Sequence, residues 1–526
     1  MSQATRVQTP WRPSHGLGII AMSVMLPTIM EVLDTTMANV ALPQMAGTLS
    51  STQDEATWVL TSYLVANAIV LPMTGWLAIR MGRKRFLLSC VVLFTLASAW
   101  CGAATSMPML IIARILQGAA GGALQPLSQS ILMESAPPEK RGVAMAIFGM
   151  GVVVAPIIGP TLGGWITDNY SWRWMFYINL PIGILALFMC QAFVEDPPYL
   201  LEAKKRSSSV DYVGFALMTV GLAALQVVLD KGQQEDWFET AWITWFSVVC
   251  VVSLAAFVAW ELRAKHPIVN LRVLKNANFA TGTAMMTLLG MVLYATITLQ
   301  PLFLQNLMGY SALDSGLALS PRGIGAIISM MIVGRLIGKV DSRILIGIGF
   351  VILAAISFHF AGINLDITRG HIAWPNVIMG LSLGLIFVPL TTTAMGGLPV
   401  EQMGNASGIF NLMRNIGGGV GISIVTTMIS RGAQTHQTLL AGNMNQYNPR
   451  FQEYYQSLVA GLSQMGNPAQ AKQQAMTVLQ GLLSQQAALM AYLDNFRLLG
   501  MVCLLCIPGV FILRGRKKPA ANVPMH

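Results

Sequence analysis

Fourteen apolar runs, most of them about 20 residues long or longer, limit what this chain can fold into. A helix needs about 20 apolar residues to cross the hydrocarbon of a bilayer. A backbone immersed in lipid must also satisfy its own hydrogen bonds, which helices do within one segment. The runs fall near 17–42, 56–78, 86–106, 108–133, 142–166, 174–194, 211–229, 240–261, 277–304, 314–337, 344–363, 372–395, 405–430 and 492–513. They predict an all-α integral membrane protein. Only 10% of the 526 residues are charged, against about 25% in a soluble domain. Too little charge is present to cover a surface against water, so lipid is the solvent for most of it.

The cations report the topology. One alternating set of connections holds Arg6, Arg12, Arg80, Arg83, Lys84, Arg85, Lys140, Arg141, Lys204, Lys205 and Arg206. It continues with Arg263, Lys265, Arg272, Lys275, Arg335, Lys339, Arg343, Arg514, Arg516, Lys517 and Lys518. The opposite set holds Arg173, Lys231, Arg369, Arg431, Arg450 and Lys472. Basic loops stay in the cytoplasm, so both termini are expected there. The net charge of +10 is thus a topology signal, and nucleic acid is not an expected partner. The six cysteines all lie in apolar runs. Cys503 and Cys506 read as small fillers rather than a redox or metal pair.

Two positions far apart repeat. Gly75-Trp76-Leu77 before a basic loop pairs with Gly334-Arg335-Leu336 before another. Gly142, Ile147, Phe148 and Gly159 pair with Gly404, Ile409, Phe410 and Gly421. Each pair spans eight helices, which predicts two six-helix bundles with two extra helices between them. The expected organisation is a cytoplasmic tail 1–16, a first bundle 17–194, a linker 195–210, inserted helices 211–261, a second bundle 277–513 and a basic cytoplasmic tail 514–526. The polar stretch 431–491 falls outside the membrane opposite the basic loops. It reads either as a lid of helices lying on the bilayer or as a docking surface for an external partner.

Ionisable groups within the runs are the candidate machinery, because a charge at membrane depth is costly and faces a cavity or a partner. Run 1 carries Glu31, Asp34 and Asn39. A carboxylate there could hold and release a proton; alternatively Asp34 sits near the interface and caps locally. Run 4 carries Arg114, Gln117 and Gly118, and its guanidinium must find a carboxylate, carbonyl or water. It would tune a nearby acid or serve structural pairing alone. Run 13 adds Asn411 and Arg414. Run 5 spaces Gly151, Ala155, Gly159 and Gly163 four apart, with Gly164 beside them and Pro156 and Pro160 in register. Small residues allow close helix contact and prolines permit a bend, which suits an interface that opens and seals. Gly75, Arg80, Gly82, Arg83 and Lys84 form a glycine-basic loop after run 2. Asp494 and Arg497 read as an interfacial ion pair.

No G-x-x-x-x-G-K-[ST] loop, H-E-x-x-H or G-x-S-x-G occurs. Neither an enzyme nor an ATP-driven pump is indicated, no metal or organic cofactor is called for, and transport would draw on an ion gradient. The 33 methionines fit either an adaptable apolar pocket or ordinary membrane filler.

Taken together, these segments resemble the major facilitator superfamily, and the helix count resembles its fourteen-helix drug:proton antiporters of the EmrB/QacA type, the EmrB branch above all. Leu33 to Pro43 is similar to that group's L-D-x-T-x-x-N-x-A-L-P signature. Arg114, Gln117 and Gly118 are similar to its R-x-x-Q-G motif, Gly151 to Gly164 to its antiporter motif, and Gly75 to Arg85 to its inner-loop motif. Asp211, Gly214, Asp230, Gly232 and Trp237 look like its inserted helix pair. Ile79 stands where the inner-loop motif usually has an acid, so the usual charge relay cannot operate. The resemblance implies proton-coupled export of amphipathic toxic compounds across a bacterial inner membrane. It also implies proton coupling through Asp34, Arg114 and Glu31, and work with a periplasmic adaptor and an outer-membrane channel. Export of one metabolite, proton-coupled import, or a non-transporting membrane sensor are the rival readings.

Overall fold

The computed structural model describes residues 13–198, 200, 211–265, 267–445, 447–465 and 468–513. Arg6, Arg12, Lys204, Lys205, Arg206 and the tail 514–526 lie outside them. Among the described residues, fourteen helical spans are long and apolar enough to cross a membrane, and the only bridge-type pairing is an isolated one, Ile337 to Val340. In chain order, spans 1 to 7 are Leu17–Thr48, Glu55–Met81, Arg83–Gly102, Met107–Ser135, Arg141–Asn169, Trp174–Phe193 and Tyr212–Lys231. Spans 8 to 14 are Ala241–Arg263, Ala277–Asn306, Leu313–Leu336, Ser342–Phe360, Arg369–Met395, Val400–Ala441 and Gln470–Ile512. The chain is a multi-pass membrane protein.

Spans 1 to 6 pack on one another and spans 9 to 14 do the same. Between them, span 5 lies along spans 10 and 12, and span 13 lies along span 2 and the second half of span 4. Lipid removes most of the hydrophobic drive for helix association, so close contact depends on small side chains. Span 4 shows this. A Cβ on Gly122 would stand 2.5 Å from the carbonyl oxygen of Asn67, and one on Gly118 would overlap that of Tyr63. The two glycines thereby press span 4 backbone to backbone against span 2. Gly82 takes φ +91°, a left-handed value suited to glycine, and so turns the chain directly from span 2 into span 3.

The repeated glycines meet crosswise at the end of the molecule that holds the basic loops. A Cβ on Gly75 would lie 2.6 Å from the amide nitrogen of Asn405 and 2.8 Å from the carbonyl carbon of Gly404. One on Gly142 would lie 2.9 Å from the carbonyl oxygen of Gly334. The repeat relates Gly75 to Gly334 and Gly142 to Gly404, so one contact maps onto the other across the two bundles. This is the pattern that a pseudo-two-fold relation between two halves produces.

Two expectations change. The glycine stripe of span 5 faces span 1 within its own bundle: Gly151 meets Met25, Gly159 meets Thr36 and Gly163 meets Met37, while Gly164 stands 3.8 Å from Val40. The face toward the other bundle carries Gly142, Gly149 against Phe387 and Met330, and Thr161 against Gly316. The stripe therefore packs span 1 onto span 5; Ala155 is buried with it, and the helix runs unbroken through Pro156 and Pro160. The segment 431–491 is not a lid lying flat. Its helices continue the spans: one runs Met403–Ala441 and another Pro468–Ile512. Hydropathy ends where lipid ends, but helical hydrogen bonding does not. The two are tied by His436 to Asp494 at 2.8 Å, Asp494 also pairs with Arg497 at 2.8 Å, and helix Pro449–Met465 packs beside the second.

Candidate functional site

Glu31 and Asp34 stand three residues apart on span 1 and so share a face. Both are buried. Asp34 Oδ2 accepts from Arg114 Nη1 at 2.5 Å, and Oδ1 accepts from Gln117 Nε2 at 2.8 Å and Asn179 Nδ2 at 2.7 Å. Arg114 and Gln117 share a face of span 4 by the same spacing, and Arg114 Nη1 also donates to Gln117 Oε1 at 2.9 Å. Arg114 Nε donates to the carbonyl of Val59 at 3.2 Å, and the guanidinium lies 4.1 Å from the centre of the Tyr63 ring. Its Nη2 has no hydrogen-bond partner among the described residues. A carboxylate and a guanidinium are thus sealed in the first bundle, each largely satisfied by the other. Such a pair is held at high desolvation cost and is sensitive to the charge of either member.

Glu31 has a different setting. Oε1 accepts from Tyr63 Oη and Asn67 Nδ2, both at 3.2 Å, and Oε2 accepts from Gln125 Nε2 at 2.6 Å. Tyr63 therefore touches both acidic sites, with its ring on Arg114 and its hydroxyl on Glu31. Gln125 Oε1 in turn accepts from Arg414 of span 13. A continuous polar chain runs from Asp34 through Arg114, Tyr63, Glu31 and Gln125 to the second bundle. Two further bonds cross beside it: Ser407 Oγ to the carbonyl of Pro126 at 2.8 Å, and Asn411 Nδ2 to Gln129 Oε1 at 2.5 Å.

Glu31 lines a cavity of about 140 Å³ between the bundles. Tyr63, Asn67 and Gln125 line it with Pro156 of span 5, and Tyr294 and Asn415 face it from the second bundle. Asp34 is not among the lining residues. The two carboxylates thus divide into one that meets the cavity and one behind it. Asn39 does not join them. It is exposed, because five residues beyond Asp34 rotate a helix position by about 140° away from it.

At the basic end the loop residues are individually placed. Arg80 lies 5.4 Å from the Trp76 ring, and Lys84 Nζ donates to the carbonyl of Gln191 at 2.6 Å. Arg83 is buried and forms a two-pronged pair with Glu134 of span 4, at 2.7 and 2.9 Å. Sequence reasoning passed over Glu134, although an acid at the basic end of an apolar run was a usable signal. With Ile79 unable to pair, two other carboxylates engage this loop: Glu134 holds Arg83, and Asp196 Oδ1 accepts from the Lys84 amide at 2.8 Å. Glu134→Gln is expected to lower the thermal unfolding midpoint in detergent, since removing one partner of a buried pair costs about 3 kcal/mol. A midpoint equal to that of the unsubstituted protein would show the pair to be idle.

Residues 24–422 match the family described as the Major Facilitator Superfamily. The chain is 40% identical to the Multidrug export protein EmrB of Haemophilus influenzae over 87% of this chain and 89% of that one. It is 37% identical to the Fatty acid resistance protein FarB of Neisseria gonorrhoeae over 95% and 96%. Among solved structures, a double-tryptophan mutant of XylE superposes with a TM-score of 0.63 at 13% identity, covering 97% of this chain and 98% of that one, a likeness of fold. Fourteen spans among the described residues, two bundles related by a crossed repeat, and a largely apolar cavity between them that holds acidic side chains agree with these matches: the chain belongs to the major facilitator superfamily and is a transporter rather than an enzyme.

Proposed function

We propose that this transporter exports amphipathic toxic compounds in exchange for protons, across the inner membrane of a bacterium. The observation that carries the proposal is the sealed Asp34–Arg114 pair set behind a cavity that only Glu31 of the two acids lines. Relatives named for multidrug export support the substrate class.

The mechanism follows from the charges. With the basic loops in the cytoplasm, the crossed glycine contacts and the Ser407, Asn411 and Arg414 bonds close the cytoplasmic side. A proton reaching Glu31 from the cavity weakens its hold on Gln125, and through Gln125 the link to Arg414. Protonation of Asp34 likewise loosens Arg114. The bundles then rock, as two-fold-related halves do in alternating access. Proton-bound and drug-bound states favour opposite-facing conformations, which couples the two flows. A proton moving down the membrane potential contributes about 2.3 kcal/mol per 100 mV. One proton against one monovalent cation moves no net charge, so that exchange would draw on the pH gradient alone.

The continued helices around 431–491 stand on the periplasmic side in this topology and offer a surface for an adaptor leading to an outer-membrane channel. In inverted vesicles holding an imposed pH gradient, adding an amphipathic drug should dissipate that gradient. A gradient indifferent to every drug tried would sink the export reading. Resistance measured in a pump-deficient strain, with and without a co-expressed adaptor, tests the tripartite arrangement.

A further inference from the structure

Of the two inserted helices, span 7 is more than a spacer at the rim. Span 7 packs against span 2 of the first bundle and span 13 of the second. Trp237, just beyond its end, donates from Nε1 to Thr427 Oγ1 at 3.1 Å. Gln226, Leu229 and Asp230, spaced along one helix face, form part of the cavity wall together with Glu31 and Asn67. We propose that Asp230 is a specificity-determining residue of this cavity and gives it a preference for cationic amphiphiles.

The two cavity acids are unequally satisfied. Glu31 accepts from three side chains. Asp230 Oδ2 accepts from the hydroxyl of Thr61, while Oδ1 has no hydrogen-bond partner among the described residues. The neighbouring cation, Lys231, acts on the Asp230 charge through space, while its ammonium donates to the hydroxyl of Thr57 one helical turn along span 2 and to Gln234 at 2.9 Å, and lies 5.4 Å from the Trp58 ring. It is not a lining residue, and no lysine, arginine or histidine lines the cavity. A carboxylate with spare acceptor capacity in a poorly hydrated wall attracts a positive group more strongly than it would in water. Leu64, Leu229 and Ile422 give the apolar body of such a compound its contact surface. A negative headgroup would meet two acids and no cation.

This inference rests on the export reading above, and its test separates the two. Export of dodecyltrimethylammonium and of dodecanoate, equal chains with opposite heads, is measured with the full chain in proteoliposomes. The unsubstituted protein, Asp230→Asn and Asp230→Glu are compared, and binding of each compound is followed by tryptophan fluorescence. The ratio of cation to anion export should fall about tenfold in Asp230→Asn, the scale of one lost charge-assisted contact. It should return toward the original value in Asp230→Glu. A proportional loss of both compounds, an unchanged ratio, or an unsubstituted protein that carries the anion but not the cation would overturn it. An unsubstituted protein that carries neither these compounds nor any other drug removes the export reading itself.

Discussion

Replacing Asp34 by asparagine should abolish drug-driven proton movement and also destabilise the protein. The carboxylate receives Arg114 on one oxygen and both Gln117 and Asn179 on the other. Asparagine has one acceptor and one NH₂ group, so a donor must face a donor on one side. Arg114 would then be a buried charge without a counter-ion, a loss of about 3–5 kcal/mol. Unfolding midpoints and vesicle pH measurements read the two effects separately. The double substitution Asp34→Asn with Arg114→Gln removes both charges, and it should recover much of the midpoint while leaving proton movement absent. Recovery of both would make the pair a structural strut. Normal drug-driven proton movement in the single Asp34→Asn variant would remove the coupling role from this site altogether.

Gly75→Val should have the second largest effect. The added side chain would project into the backbone of Gly404 and Asn405, and backbone atoms cannot rotate away as a side-chain tip can. Overpacking of this kind costs about 1–3 kcal/mol, and each 1.4 kcal/mol shifts a two-state population about tenfold. The basic end should therefore stand open more often, with drug export falling accordingly. Labelling of a cysteine at Ser407, which in the closed form bonds to the carbonyl of Pro126 at 2.8 Å, should accelerate from that end. Gly142→Val, at the matching contact with Gly334, should behave the same way. Labelling rates that do not change in either variant would show that these contacts do not seal the end.

The helical architecture was legible because apolar length is a direct consequence of bilayer thickness. Asp34, Arg114 and Glu31 were legible for the same reason: a charge inside an apolar run stands out. Apart from Gln117, their uncharged partners were not. Tyr63, Asn67, Gln125 and Asn179 are uncharged, and membrane helices carry such residues without announcing a role. Which of them meet depends on the rotation of each helix, and hydropathy averages that away. Asp230 could be read as part of an inserted pair. That span 7 packs against both spans 2 and 13 depends on packing between distant segments, and no local pattern encodes it. The polar stretch after residue 430 misled because its composition changes abruptly while its backbone does not.

That continuity has a mechanical side. The helix Pro468–Ile512 is 45 residues long, about 68 Å at the usual rise, against a hydrocarbon layer of about 30 Å. More than half of it must therefore stand outside the hydrocarbon, and about a third beyond the headgroups as well. Fixed in the second bundle at its lower half, it acts as a stiff pointer. A tilt of that bundle too small to notice within the membrane is magnified into a wide sweep at the tip, so motion inside the bilayer is broadcast well beyond it.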